Sequence, residues 1–599
     1  MQTTTKIRNV AIIAHVDHGK TTLVNRLLQC GGVFRQNETI IDRVMDNNDL
    51  EKERGITILA KTTSINYHGY RINILDTPGH ADFSGEVERI MNMVDGCLLL
   101  VDALEGVMPQ TRFVLKKAIE ANVKPIVIIN KVDRPGVNIQ KTVDNIFNLF
   151  IELNAPDNFL DYKTAYTSAL KGTSSLDSNI ETQENGMEKV LDLIISEIPS
   201  PNVDENGPLK FQVTLLDYND FVGRIGIGII KRGKIKLNDT VAVIRLDGTI
   251  KKFRILKLFG FFELKRIEIT EASAGDIIAI AGLEDINVGE TICDPNNLEK
   301  EPPFSIEKPT LQMTFSSNSS PFSGKDGKFV TARMIEERLF KEAQRDISLE
   351  IKKSENGESW VVSGRGELHL GILIENMRRE GYEIEISKPI PIIREENGVK
   401  AEPYEDVIIN VPNEYQGAVM ESIGSRSGNL IDMIDDGKNT RFIYVISSKN
   451  LLGYSSVLMT LTKGYGVLTH SFKEYRPIIS SNKTLNERKI GVLVSTASGT
   501  ATAYAIEKME KHGVMFIEPG TQCYTGMIVG ENCYNNDLSI NPTLEKQKTN
   551  MRSASKDTTV VLKAPRKISL EYCLNYINFD ELIEVTPHFI RMRKKNKNA

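Results

Sequence analysis

Cysteine and tryptophan are scarce, with six and one among 599 residues. Cys30, Cys97, Cys293, Cys523, Cys533 and Cys573 are scattered and form no CxxC pair. This argues against a disulfide scaffold or a zinc ribbon and points to a reducing cytosol. Long apolar runs are missing too: none approaches the ~18 uncharged residues of a membrane span. The opening residues MQTTTKIRNV carry no apolar stretch of the secretory kind. The expectation is a cytoplasmic chain with no membrane partner. A basic excess is also lacking. The formal net charge of −5 excludes a protein that coats nucleic acid over its whole surface, though a local basic patch is compatible with it. At 40% hydrophobic and 26% charged residues, the chain can bury several cores. At about 150 residues per domain, roughly four domains are expected.

What is present begins at residue 7. IRNVAIIA (7–14) is an apolar run of the buried-strand type, and HVDHGK then turns the chain. TTLVNRLLQ follows with a helical pattern at Leu23, Leu27 and Leu28. Strand, glycine turn and helix is the context of a phosphate loop. Ala14 stands where the strict pattern has its first glycine, which is tolerable at negative φ. Amides of the turn and first helical residues, His18, Gly19, Lys20, Thr21 and Thr22, would face a β-phosphate. Lys20 would reach the β- and γ-phosphates, and Thr21 would bind Mg²⁺.

Two more strand ends extend the set. INILDTPGH (72–80) ends its strand in Asp76, placed to hold Mg²⁺ through water, with the Gly79 amide near the γ-phosphate. PIVIINKVD (125–133) supplies Asn130, Lys131 and Asp133. A carboxylate at Asp133 accepts from guanine N1–H and the 2-amino group, whereas adenine would leave it unpaired. Lys131 would lie over the base, and Asn130 would tie loops together. TSAL (167–170) would offer backbone contacts to the guanine oxygen from Ser168 and Ala169, beside Leu170. Between the first two motifs, DNNDLEKERGITI (46–58) is dense in charge and is expected to be a loop that orders on binding. Thr57 is its candidate for Mg²⁺ and the γ-phosphate.

AHVDHGKT, RGITI, DTPGHADF and NKVD together resemble the translational GTPases, relatives of elongation factors Tu and G. The resemblance implies GTP, GDP and Mg²⁺ as ligands. It also implies a role for Asp17, an acid inside an anion cradle, as holder of a monovalent cation such as K⁺. A cation between carboxylate and phosphate turns repulsion into attraction. The alternative is that Asp17 caps a backbone N–H. His80 would be the catalytic residue that positions the attacking water. Val16 and Ile56 would be the hydrophobic gate that holds it back until the ribosome docks.

Beyond the G domain, IPSPNVDENGP (198–208) reads as a linker, after which the period becomes two. Leu209, Phe211, Val213 and Leu215 alternate, as do Ile225, Ile227 and Ile229 among glycines, which predicts a small closed barrel ending near 300. Two βαββαβ orders follow, both ferredoxin-like. The first contains SGRGELHL (363–370), which resembles the third domain of elongation factor G; the second (404–478) resembles its fifth. Only PIPIIREENGVK separates them, too short for a fourth domain, so ordinary translocation is not expected.

Residues 483–599 match neither elongation factor, and TNMR, LEY and EVTPHFIRMRKK closely resemble the C-terminal domain of the BipA (TypA) GTPases. A loop bearing Lys546, Lys548, Arg552, Lys556, Lys563, Arg566 and Lys567 suits phosphate contacts with RNA. The expected fold is multidomain α/β and α+β. It comprises a P-loop GTPase domain (1–200), a β-barrel (201–305), two ferredoxin-like domains (306–390 and 391–482) and a family-specific basic C-terminal domain (483–599). The resemblance implies a monomeric, ribosome-stimulated GTPase that contacts ribosomal RNA and transfer RNA. It further implies work in large-subunit assembly and in growth under stress or cold. Two rivals stay open. One is a factor acting on elongating ribosomes in the manner of elongation factor 4; the other is an RNA-binding assembly chaperone in which GTP is a structural ligand.

Overall fold

The computed structural model describes residues 6–15, 17–31, 49–54, 57, 60–78, 81–219, 221–262, 265–283, 285–304, 308–396, 398–435, 437–478, 488–545 and 561–595. The chain forms two compact units. One holds Met1–Glu307 with Gln344–Ile347; the other holds Lys308–Ala343 with Ser348–Ala599.

The first unit starts with a mainly parallel sheet. Its strands are β1 (Ile7–Ala14), β2 (Lys61–Tyr67), β3 (Tyr70–Asp76), β4 (Gly96–Asp102), β5 (Lys124–Asn130), β6 (Lys163–Ser168), β7 (Thr173–Ser175) and β8 (Glu184–Asn185). They lie in the order β2-β3-β1-β4-β5-β6-β7-β8, with β1, β3, β4, β5 and β6 parallel. The central strands are apolar throughout because both faces are covered. Alternate residues divide between two cores: Ile13, Leu99, Val101, Val127 and Ile129 on one face, and Ile12, Leu98, Leu100, Ile126 and Ile128 on the other. The helices are α1 (Lys20–Cys30), α2 (Asp49–Arg54), α3 (Ser84–Met91), α4 (Pro109–Glu120), α5 (Ile139–Glu152), α6 (Asp157–Leu160) and α7 (Glu188–Glu197). Helices α1 and α7 cover the second face, whereas α3, α4 and α5 cover the first. Residues 49–54, expected in a loop, are helical.

After the linker come the short glycine-punctuated strands of the barrel. The eight-stranded ladder begins at Ile250–Arg254 and ends at Lys265–Glu268, and among the described residues these two ends do not pair. The predicted barrel is this ladder, wrapped on a core of Phe211, Val213, Ile230 and Ile278. The ribbon Lys234–Lys236 with Glu271–Ser273 adds Ile235 and Ala272 to that core. The isoleucines Ile225, Ile227 and Ile229 point the other way and join the core beneath α3 and α4. Gly228 has a steric reason: a Cβ there would lie 2.1 Å from the Gln212 carbonyl oxygen. Polar contacts fix the same junction. Arg71 pairs with Asp276 at 3.1 Å, and Asn9 donates to the Gly275 carbonyl at 3.2 Å.

In the second unit the first βαββαβ order is present: Leu311–Ser317, Ala332–Arg345, Glu350–Lys353, Ser359–Gly364, Glu367–Glu380 and Ile384–Ile386. Its last strand pairs antiparallel with Glu581–Val585, so this module and the C-terminal region share one eleven-stranded sheet. They also share one core, in which Trp360, Leu370 and Ile384 pack with Cys573, Leu574, Ile583 and Met592. A buried ionic seam seals it. Arg593 holds Glu385 at 2.5 Å, and Glu584 accepts from Tyr524 at 2.7 Å and Arg591 at 3.1 Å. The second βαββαβ order forms its own five-stranded sheet around Val399–Pro412, with Gln416–Ser425 and Tyr454–Leu461 as its main helices.

Candidate nucleotide site

The carboxyl ends of β1, β3, β4 and β5 deliver the polar residues of the site to one edge of the sheet, the usual ligand position in open α/β folds. The β1–α1 turn carries Asp17 at φ 62 and Gly19 at φ 92, both left-handed. Gly19 is required: a Cβ would lie 2.5 Å from Asn130 Nδ2 and 3.8 Å from Lys131 Cε. Ala14 completes β1 and does not have positive φ, so no glycine is needed there. Lys20, Thr21 and Thr22 open α1, whose first turn holds no acid. Its amide end is therefore free of the negative side chain that would compete with a phosphate.

Three of the predicted residues converge at the head of α1. Lys20 Nζ lies 2.7 Å from Asp76 Oδ1, donates to Thr57 Oγ1 at 2.5 Å, and donates to the Thr77 carbonyl at 2.8 Å. Thr57 Oγ1 is 3.3 Å from Asp76 Oδ2, and both residues are buried. An ammonium, a carboxylate and a hydroxyl in contact, beside Thr21 and an acid-free helix end, fit a Mg²⁺–phosphate group. When bound there, Mg²⁺ supplies neutralisation of charge on the β- and γ-phosphate oxygens.

Asn130 organises the base side. Its Nδ2 donates to the His18 carbonyl at 2.9 Å, and its Oδ1 accepts from Thr167 Oγ1 at 3.1 Å and the Ala169 amide at 3.0 Å. The predicted loop tie is thus in place. The Ala169 amide, expected to meet the guanine oxygen, here donates to Asn130. The Ala169 and Leu170 carbonyls are held by Arg26, at 3.0 and 2.7 Å, while the Leu170 side chain is exposed.

Lys131 Nζ contacts the Asp17 carbonyl and forms an ion pair with Asp102 at 2.8 Å, so its head is anchored and its stem is left to cover a base. Asp133 lies 3.2 Å from Lys171 Nζ. Burial acts to raise the Asp133 carboxyl, but hydrogen bonds from Ser168 and Lys171 outweigh it and hold it below its ordinary range. It stays an anion, as acceptance from two guanine donors requires.

The His18 side chain turns away from the site. Its ring is fully buried, with Nδ1 facing the Leu100 carbonyl at 3.4 Å and the Asp102 amide at 3.3 Å. It therefore contributes only backbone to a phosphate cradle. Sequence reasoning missed Asp102, whose carboxylate binds Lys131, Arg134 at 3.1 Å and the Leu104 amide at 2.8 Å. Burial pushes the Asp102 carboxyl up, and Lys131 with the amides more than reverses this, leaving it lowered. The signal was available: GCLLLVD ends an apolar strand in an acid, as INILD does.

Val16, Ile56, Gly79 and His80 lie outside the described residues, as do Lys546, Lys548, Arg552 and Lys556. Of the remaining basic residues, Lys563 has its backbone amide on Glu510, 2.8 Å away. Arg566 is used internally: its guanidinium lies 3.2 Å from Glu531 and donates to Tyr572 Oη at 3.0 Å. Its guanidinium is thus partly engaged within the chain, while Lys567 has no such partner among the described residues.

Comparison with known proteins agrees with this architecture. Residues 5–200 match the elongation factor Tu GTP-binding domain and 223–293 match elongation factor Tu domain 2. Residues 330–388 match elongation factor G domain III, 399–484 the elongation factor G C-terminus, and 490–599 the TypA/BipA C-terminal domain. The chain is similar to the Bacillus subtilis (strain 168) large ribosomal subunit assembly factor BipA, 55% identical over 99% of this chain and 97% of that one. The proteins of the same name from Salmonella typhimurium (50%, covering 98% and 97%) and Escherichia coli K12 (49%, covering 99% and 97%) are also similar. A crystal structure from Thermus thermophilus shares the fold, with TM-score 0.56 and 18% identity, over 80% of this chain and 98% of that one. No helix among the described residues is long and apolar enough to cross a membrane. With an elongation-factor GTP-binding domain at one end, the TypA/BipA domain at the other, and similarity along its whole length, the chain belongs to the TypA/BipA family of GTP-hydrolysing translational GTPases.

Proposed function

We propose that this chain is a cytoplasmic, monomeric GTPase whose hydrolysis is triggered by the ribosome at the elongation-factor site, and that it serves large-subunit assembly and growth under stress or cold. The observation that carries the hydrolytic reading is the convergence of Lys20, Thr57 and Asp76. A degenerate, merely structural site would have no need of all three. The similar proteins of Bacillus subtilis and Salmonella typhimurium, named as large ribosomal subunit assembly factors, support the assembly role.

In this reading His18, Gly19, Lys20, Thr21 and Thr22 bind phosphate through their amides, and Thr21, Thr57 and Asp76 hold Mg²⁺. Asn130, Lys131, Asp133 and Ser168 select guanine. Asp17 holds K⁺: it is exposed in the turn, and among the described residues no backbone N–H donates to its carboxylate. His80 orients water behind the gate of Val16 and Ile56, and Gly79 senses the γ-phosphate. Ribosomal RNA and transfer RNA meet Lys546, Lys548, Arg552, Lys556, Lys563 and Lys567. This reading keeps domain limits at 200, 305, 390 and 482, with the third and fifth parts sharing one sheet.

The test is GTP hydrolysis with and without purified ribosomes, for the native chain and His80→Ala. Stimulation that vanishes in the variant is expected. Equal rates with and without ribosomes would sink the triggering step.

A further inference from the structure

A cavity of about 250 Å³ lies where the end of the first βαββαβ module, the second module and the C-terminal region meet. Its lining includes three cations, Lys388, Arg426 and Arg488, and no carboxylate. Arg488 is neutralised from behind by Glu581, at 2.7 and 3.1 Å. Arg426 is not. It donates to the Asn450 and Leu452 carbonyls at 2.9 and 3.1 Å and sits over the Tyr454 ring, and among the described residues no carboxylate forms an ion pair with it. Burial accordingly lowers its basicity. The Glu367 carboxylate acts on it from a distance and only partly offsets that burial, so a bound anion would relieve the remaining cost.

The third wall is a helix start. Gly453, Ser456 and Val457 line the cavity at the head of the helix Tyr454–Leu461. Gly453 at φ 73 is the N-cap and has no side chain to satisfy the amides that follow it. Its own amide is spent on Glu367, at 3.1 Å. The positive end of a helix and side-chain cations thus border one small space. The other side is apolar and aromatic: Leu574 and the stacked pair Tyr572 and Tyr576, ring centroids 5.2 Å apart.

We propose that this three-way cavity binds a phosphate monoester about the size of a mononucleotide, its phosphate between Arg426, Lys388 and the first turn of the helix Tyr454–Leu461, and its organic body against Leu574 and the tyrosines. The site is separate from the GTP site and is built from elements of three modules, so its ligand would brace them against one another.

The test uses the full chain with its GTP site saturated by GDP and Mg²⁺, titrated calorimetrically with AMP, which a guanine-selecting site excludes. Native protein is expected to bind one AMP, at least tenfold more tightly than inorganic phosphate. Ser456→Asp puts a carboxylate into the cavity at a helix position that favours acids, so it folds. It is expected to weaken AMP at least tenfold without lowering the melting temperature. Arg426→Gln should weaken AMP as much, with a lower melting temperature because the Asn450 and Leu452 carbonyls lose their donor. Absence of AMP binding at millimolar concentration, or equal affinity in native protein and Ser456→Asp, overturns the proposal. Equal affinity for AMP and inorganic phosphate overturns the assignment of an ester.

Discussion

The side-chain amide of Asn130 donates to the backbone carbonyl of His18 across 2.9 Å, joining the end of β5 to the phosphate loop. With its oxygen it also holds Thr167 and Ala169, so one buried residue fixes the base side and the phosphate side to each other. Asn130→Ala strands a carbonyl, a hydroxyl and an amide in a buried place. The expected result is a loss of about 2–4 kcal/mol in unfolding free energy of the G domain. GTP affinity should fall at least tenfold, as read by urea denaturation and nucleotide titration. Unchanged affinity would remove the tie from the account of binding.

Asp133→Asn exchanges an acceptor for a donor–acceptor group opposite guanine N1–H. Preference should move from GTP toward xanthosine triphosphate by roughly 10²–10³-fold, in keeping with the cost of mispaired buried polar groups. Competition binding measures it, and a retained preference for GTP would refute this account of base choice.

Asp95, at the start of β4, is pushed up to about 7 by burial, while Asn9 and Arg8 pull the other way. Unfolded, its pKa would be about 4. The folded state therefore holds the proton more tightly. The advantage is complete below about pH 4 and is lost as pH rises through 7. Asp95→Asn removes this dependence, so its stability relative to the native chain should improve by on the order of 2–4 kcal/mol from pH 4 to 8.5. Melting curves at pH 6 and 8.5 that shift equally would disprove the assignment.

Cutting the chain before 483 is a poor test of the basic region, because Glu581–Val585 and its neighbours complete the core of the first βαββαβ module. Charge reversal is better. Lys563→Glu with Lys567→Glu should weaken ribosome binding severalfold, more at low salt than high. Arg566→Ala should instead lower the melting temperature and leave ribosome affinity intact, since its partners are Glu531 and Tyr572. The reverse pattern in cosedimentation would restore Arg566 to the RNA-facing set.

If Asp17 holds K⁺, replacing K⁺ in the buffer by tetramethylammonium should slow hydrolysis at least tenfold in the native chain and little in Asp17→Ala. Equal slowing in both would favour a role for Asp17 in the backbone turn.

Local chemistry alone determined much of this protein. Apolar runs ending in Asp76 and Asn130 fix strands whose ends bear function, because a strand buried on both faces can place polar groups only where it stops. Gly19 and the helical pattern of Leu23, Leu27 and Leu28 mark the phosphate loop and α1 for the same local reasons. Both βαββαβ orders were legible as successions of strand and helix segments, helped by resemblance to elongation factor G. What needed the tertiary structure were relations between distant segments. Sequence spacing could not show that the Ala169 amide is spent on Asn130, that the His18 ring turns inward to β4, or that Arg566 answers Glu531. Nor could it show Ile384–Ile386 pairing with Glu581–Val585, about two hundred residues away. Such pairings depend on which hydrogen-bonding edge and which charge remain unsatisfied once the cores have packed, and that is decided only when the whole chain has folded.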